Sequence, residues 1–248
     1  MSLPRRALFG LGALVLAGCA PSGHPASAPA ISAAAPAAVP STTTAARPAP
    51  PELPRQLPGV GPRMLAAVPA EARQVLVVTG DGPEATTGHA VLYRDDGAGW
   101  LARPSSPTRN GGHGWSADHR EGDLRSPVGV FGLSDAGGRL PNPGTRLPYD
   151  RTDTFTIGGT GLMGEPLAGS FDYVVAIDYN RVPGNSPLDT RRPRGGRFGG
   201  GIWLHADHGG PTHGCVALPL ERMRDLLLAL DPALHPVVVM GDAQSLAG

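Results

Sequence analysis

Apolar residues between Gln74 and Gly241 fall mainly into short runs, and these runs indicate the fold class before any motif does. Residues 74–79 (QVLVVT), 89–93, 100–103, 128–133 (VGVFGL), 173–177 (YVVAI), 202–205 and 237–240 are rich in valine, isoleucine and aromatics. Gly, Pro, Asp and Asn turns bound them, which is the pattern of short β-strands. Only one stretch has helical spacing. In LPLERMRDLLLAL, Leu220, Met223, Leu227 and Leu230 share one face, and Pro219 suits a first turn. That stripe predicts core packing rather than a binding surface. The expectation is a mainly β domain with one helix in its C-terminal half, and no internal repeat.

The first sixty residues follow a different pattern. Arg5 and Arg6 precede an uncharged, mostly apolar stretch from Ala7 to Ala17, followed by Leu16-Ala17-Gly18-Cys19. Basic, apolar and small residues in that order predict an export signal. The apolar stretch falls well short of the ~20 residues a spanning helix needs. Its ending looks like a bacterial lipobox, in which Cys19 becomes the lipidated first residue, and the paired arginines also resemble a twin-arginine signal. From Ala20 to Pro62 the chain is Ala, Pro, Ser and Thr with few large apolar side chains, too little apolar surface to offset the entropy of ordering. Some 40 residues in extended polyproline form reach on the order of 100 Å. The expected organisation is therefore a lipoprotein signal at 1–19, a Pro/Ala-rich tether at 20–62 and a folded domain at 63–248. Such a protein is exported, anchored by lipid to the outer face of the cell membrane, and reaches into the cell wall.

Charge narrows the partners. The 21 basic residues, all arginine, balance 21 acidic ones, so nothing calls for nucleic acid. There are two cysteines. If lipid consumes Cys19, Cys215 stands alone in an oxidising compartment, where an unpaired thiol is either buried and inert or kept for its reactivity.

Cys215 closes HADHGGPTHGC, which also holds His205, His208 and His213. All four are competent zinc ligands, but the spacing matches no defined ligand pattern, with neither His-Glu-x-x-His nor Cys-x-x-Cys. A metal cage is possible but unforced. A thiol nucleophile makes more use of these residues. A cysteine attacks as thiolate, and an imidazole or a helix N-terminus nearby lowers its pKa. Here a histidine ends a strand before the cysteine, and the helix begins after it. Gly214 obstructs nothing, so the Gly214 and Cys215 amides can face a developing oxyanion. His208 reads as a solvated loop residue. Two long glycine-rich connections stand out, at 109–123 and 188–201. The second carries Arg191, Arg192, Arg194 and Arg197, and it reads either as a solvated loop or as a mobile flap that grips substrate carboxylates.

Thr212-His213-Gly214-Cys215-Val216, preceded by a strand ending in His205, resembles the signature of the L,D-transpeptidase catalytic-domain family of the YkuD type. The stretch EGDLRSPVGVFGL at 121–133 resembles the family's Gly-Asp-x-x-Thr-Pro-x-Gly-x-Phe segment, and DYN at 178–180 also has a counterpart. The similarity covers most of 74–241. It implies a β-sandwich built around the cysteine, with Cys215 as nucleophile and His205 as proton acceptor and donor, oriented through a backbone carbonyl. His213 is implied to shape the pocket and is the rival base. Thr212, Arg191 and Arg197 are candidate substrate contacts. Two departures touch substrate grip: the gap from His205 to Cys215 is short, and Ala217 stands where a polar or basic residue is common. Ser126 replaces the usual threonine before Pro127.

The resemblance implies a cell-wall acyltransferase that needs neither cofactor nor metal. Its partners would be peptidoglycan stem peptides, with carbapenem β-lactams as inhibitors and 3→3 cross-links as product. The competing readings are hydrolysis on the same fold, a zinc-dependent hydrolase, and a non-catalytic wall-binding lipoprotein.

Overall fold

The computed structural model describes residues 56–248. The expected export signal, Cys19, and all of the expected tether except 56–62 lie outside the described residues. Within that last piece, Leu57 and Val60 are already buried, and a short helix α1 (Pro62–Ala67) follows.

Eleven strands join one mixed sheet. The strands in chain order begin with β1 (Gln74–Gly80), β2 (Thr87–Asp95), β3 (Trp100–Ala102), β4 (Ser106–Arg109), β5 (Trp115–Ser116) and β6 (Ser126–Pro127). Next come β7 (Gly129–Gly132), β8 (Ala136–Gly138), β9 (Tyr149–Arg151) and β10 (Val174–Ala176). The last three are β11 (Trp203–Ala206), β12 (Val216–Leu218) and β13 (Val237–Asp242). The large sheet runs β7-β13-β1-β2-β4-β12-β11-β10-β8-β9, with β3 paired to β2, while β5 and β6 form a separate pair. All seven runs marked as strands form strands. Helix α2 (Leu220–Ala229) occupies the predicted helical stretch.

The fold is a curled β-sandwich with a core on each side of its central strands. On β1, Leu76 and Val78 face one core with Leu92, Leu204, Met240 and α2, whereas Val75 and Val77 face a second with Val239, Met64 and Leu246. Burial on both faces explains why 74–79 and 237–240 read as continuous apolar runs rather than as an alternation. The second face is covered by α1 and by a further helix α3 (Ala243–Ala247). Neither was expected, because five or six residues are too few to display a period of 3.6. On α2 the stripe reaches the core through Met223, Leu226, Leu227 and Leu230, while Leu220, expected in that stripe, opens the helix 39% exposed.

One connection matters most for function. Strands β11 and β12 are parallel neighbours, with Leu204 opposite Val216 and His205 opposite Ala217, yet only residues 207–215 join them. Parallel crossovers usually need a dozen residues or more. The short path is made possible by Gly209 and Gly214 at positive φ, 92° and 135°. It returns the chain to the start of β11 and sets Cys215 beside Trp203.

Candidate active site

The register of β11 and β12 sets Cys215, just before β12, opposite Trp203 and so on the same face as His205, two positions along. Cys215 is free and partly exposed. Its Sγ accepts from the Trp203 amide at 3.4 Å and donates to the Gly201 carbonyl at 3.5 Å. His205 is 3% exposed, and its Nδ1 donates to the Ala206 carbonyl at 2.9 Å, a tautomer assigned from that contact. The neutral ring therefore keeps its lone pair on Nε2. The edge of Phe171 meets the His205 ring at 5.5 Å.

Three details brace the thiol. Thr212 Oγ1 donates to the Cys215 carbonyl at 2.7 Å and accepts from the Gly214 amide at 3.1 Å. Ser126, from the Ser-Pro stretch, donates to the same carbonyl at 3.2 Å and accepts from the Gly111 amide at 2.9 Å. Gly214 itself has no room for a side chain, since a Cβ would lie 2.9 Å from the Arg125 carbonyl oxygen. The Gly214 amide is thus engaged by Thr212 rather than free for an oxyanion, and the Thr212 hydroxyl is engaged within the turn.

His208 departs from expectation. Its side chain is only 4% exposed, with Nδ1 3.2 Å from Glu165 Oε1, and its ring lies parallel to that of His205. The Glu165 contact is close enough for charge attraction but is not aligned as a hydrogen bond. His208 was expected in solvent because loop histidines usually are; here Glu165 and the His205 ring draw it inward. Glu165 fits because Gly161 and Gly210 leave it space: a Cβ on either would fall about 2 Å from its carboxylate. Its carboxyl is held below the usual range, chiefly by backbone hydrogen bonds and also by His208. Nothing in the sequence marked Glu165, an isolated acid in a glycine-rich segment with no periodic pattern.

Cys215, His205, His208, Thr212 and the exposed His213 line one cavity of about 70 Å³. Ile157, Leu162, Leu167 and Phe171 roof it. That volume holds a few water molecules and is far below the few hundred Å³ of a ligand pocket. Among the described residues no group of three His, Cys, Asp or Glu side chains converges as a metal cage.

Electrostatics correct a second expectation. Burial pushes the Cys215 thiol up to about 11, opposed only in part by the Trp203 amide. Burial also pushes His205 down to about 4, against the Ala206 hydrogen bond. The resting pair is a neutral thiol beside a neutral imidazole, not a thiolate. The helix that was to help lies elsewhere: three residues of β12, about 10 Å of extended chain, carry the backbone away before α2 begins.

The arginine loop is ordered by contacts. Arg191 is held by Asp189, Nε to Oδ2 at 2.8 Å, and by Asn185 at 2.7 Å. Its charge is already partnered and it does not line the cavity. Arg197 is exposed, its guanidinium 4.6 Å from the Phe198 ring centroid. The Asp-Tyr-Asn stretch organises this region. Asp178 pairs with Arg181, Tyr179 donates to the His119 carbonyl at 3.2 Å, and Asn180 holds the loop through Gly195, Gly199 and Arg194.

The structure brings Cys215 and the carbonyl-tied His205 to one cavity, with Ser126 and Thr212 holding the Cys215 carbonyl. The family model for the L,D-transpeptidase catalytic domain matches residues 71–239. The chain belongs to this family. As an L,D-transpeptidase-family domain it is a transferase-type fold associated with peptidoglycan. Among solved structures it is similar to Bdellovibrio bacteriovorus Bd1075, at 15% identity and a TM-score of 0.38. The match covers 69% of this chain and 48% of that one, so the chain spans about half its length. No curated protein matches the sequence.

Proposed function

We propose that the protein is a peptidoglycan acyltransferase acting through a Cys215 thioester. In this reading Cys215 Sγ attacks the carbonyl of the third, L-centred diamino acid of a stem peptide. His205 Nε2 takes the thiol proton and passes it to the departing D-alanine amine as the C–N bond breaks. An amine from a second stem then attacks the thioester, its proton returns through His205 to sulfur, and a 3→3 cross-link results. The observation that carries this reading is the common face shared by Cys215 and His205, with Nδ1 tied to the Ala206 carbonyl so that Nε2 is left to accept.

The neutral resting pair gives the step its character. Burial raises the thiol and lowers the imidazole, so a separate thiolate–imidazolium pair is uphill. Proton transfer is instead coupled to attack, when substrate excludes water and the sulfur gains a carbonyl partner. With the Gly214 amide engaged by Thr212, the Cys215 amide is the donor left for the oxyanion. His213, exposed at the rim, shapes the mouth and is the second choice for the base. The export signal, the Cys19 lipid and the tether belong to the same proposal, since they would hold the domain in the wall where stem peptides are.

Incubation of the purified protein with a carbapenem, followed by intact-mass measurement, tests the nucleophile. An adduct of the drug's mass is expected and should be absent in Cys215→Ser; inactivation by a chelator with no adduct would instead favour zinc. Digests of wall treated with the enzyme distinguish the resolving step, since 3→3 dimers indicate an amine acceptor and shortened monomers indicate water.

A further inference from the structure

The aromatic ring of Phe198 gathers three guanidinium groups. The Cζ atoms of Arg120, Arg194 and Arg197 lie 4.8, 4.7 and 4.6 Å from its centroid, and Arg194 also lies 5.2 Å from the Tyr179 ring. Arg120 has one carboxylate partner, Asp118 at 2.7 Å, itself 74% exposed. Arg194 and Arg197 have no ion-pair partner among the described residues. Like charges do not assemble in this way without a scaffold, and a scaffold is present. Buried Asn180, in the left-handed region at φ 46°, donates to the Gly195 and Gly199 carbonyls at 3.1 and 2.5 Å and accepts from the Arg194 amide at 2.8 Å. The Glu121 amide donates to the Arg197 carbonyl at 3.1 Å, which ties the second strand of chain to the first.

The cluster does not line the cavity that holds the thiol, but a short stretch of chain joins the two. Gly201, three residues beyond Phe198, accepts from Cys215 Sγ, and three residues span at most about 10 Å. His119, next to Arg120, has its Cε1 3.6 Å from where a Gly214 Cβ would sit. Asp118 pairs with Arg120, and the Glu121 carboxylate lies beside Gly199, so the uncompensated edge is that of Arg194 and Arg197, which have no ion-pair partner among the described residues. Guanidinium forks suit carboxylates, which they bind in pairs of parallel hydrogen bonds.

We propose that Arg194 and Arg197, with Arg120 behind them, form a subsite for a free carboxylate on the peptide substrate, outside the cavity that holds the thiol. The proposal rests on the reading of Cys215 as a nucleophile toward peptides, and it makes these arginines determinants of specificity.

Equilibrium binding to full-length Cys215→Ala separates the two ideas, because binding needs no chemistry. Two synthetic tetrapeptide stems would be compared, one with its side-branch carboxylate free and the other with it converted to a carboxamide. The free acid should bind about tenfold tighter or more, as a charge-assisted contact gives, and Arg194→Gln/Arg197→Gln should abolish the difference. Iodoacetamide alkylation of the thiol in the otherwise native chain should be unchanged by the double substitution. Equal affinities, or a difference that survives it, overturns the subsite. So does loss of binding to polyphosphate, used as a polyanion probe, with peptide discrimination intact. Discrimination without turnover or adduct formation in the native chain would sink the nucleophile reading and leave the subsite standing.

Discussion

The imidazole rings of His205 and His208 stack in parallel, 8° apart in plane with centroids at 5.7 Å. This stack shields one face of His205 from water and sets a second imidazole beside it, and both effects disfavour the charged form of His205. His208→Ala removes both. The His205 pKa should rise from about 4 by roughly one unit, which a side-chain NMR titration of the imidazole would measure. An unchanged value would mean that neither the stack nor its charge acts on His205.

Burial of neutral His205 also makes stability depend on pH. The folded pKa, about 4, lies below the ordinary 6.5, so the unfolded chain binds the proton more readily. The contribution is present above pH 6.5 and is lost as pH falls through 4. Its size is about 3 kcal/mol for a shift of this order. Urea midpoints measured from pH 7 to pH 4 should fall accordingly, and His205→Gln should flatten that part of the curve. Cys215 acts at the other end: its raised pKa removes stability as pH rises from 9 through 11.

Much of the fold is legible in the sequence because its strands are β-branched and bounded by turn formers. The runs at 74–79 and 237–240 became two neighbouring strands buried on both faces. Strands such as β6 and β8 escaped notice because two or three residues of Ser-Pro or Ala-Gly-Gly carry no pattern. At the site, His205 and Cys215 were legible because a motif and a strand end marked them. The burial of His208 and the role of Glu165 were not. They depend on glycines 161 and 210 leaving a slot filled by a residue distant in sequence, a tertiary fact with no local trace. The state of the thiol was misjudged for a related reason: neighbours in sequence suggested charge stabilisation, whereas desolvation dominates.

Arg181 offers a test of what holds the site's outer wall. Its Nη1 meets Asp135 at 2.8 Å and Asp178 at 2.6 Å, with all three side chains largely buried. Burial raises the Asp178 pKa even with this guanidinium beside it, so the charges are expensive to bury. Arg181→Met would leave the two carboxylates without a partner. Stability should fall by about 3–5 kcal/mol, read from chemical denaturation, with a partial recovery at acidic pH as Asp178 protonates.

Gly214 is where backbone geometry and chemistry meet most closely. Its φ of 135° is one that side chains rarely adopt, and a Cβ there would approach the Arg125 carbonyl oxygen at 2.9 Å and Ile202 Cδ1 at 3.3 Å. Neither neighbour can retreat easily: the Arg125 carbonyl immediately precedes Ser126, which braces the Cys215 carbonyl, and Ile202 is buried in the core. Gly214→Ala should therefore cost about 1–3 kcal/mol of stability, leaving much of the protein folded. The turn should relieve the strain by moving Cys215 away from the Trp203 amide and His205. Adduct formation with a carbapenem should then slow by about a hundredfold, since displacements near 1 Å have that effect. Near-normal acylation with the expected loss of stability would mean that the position of the thiol does not depend on this glycine.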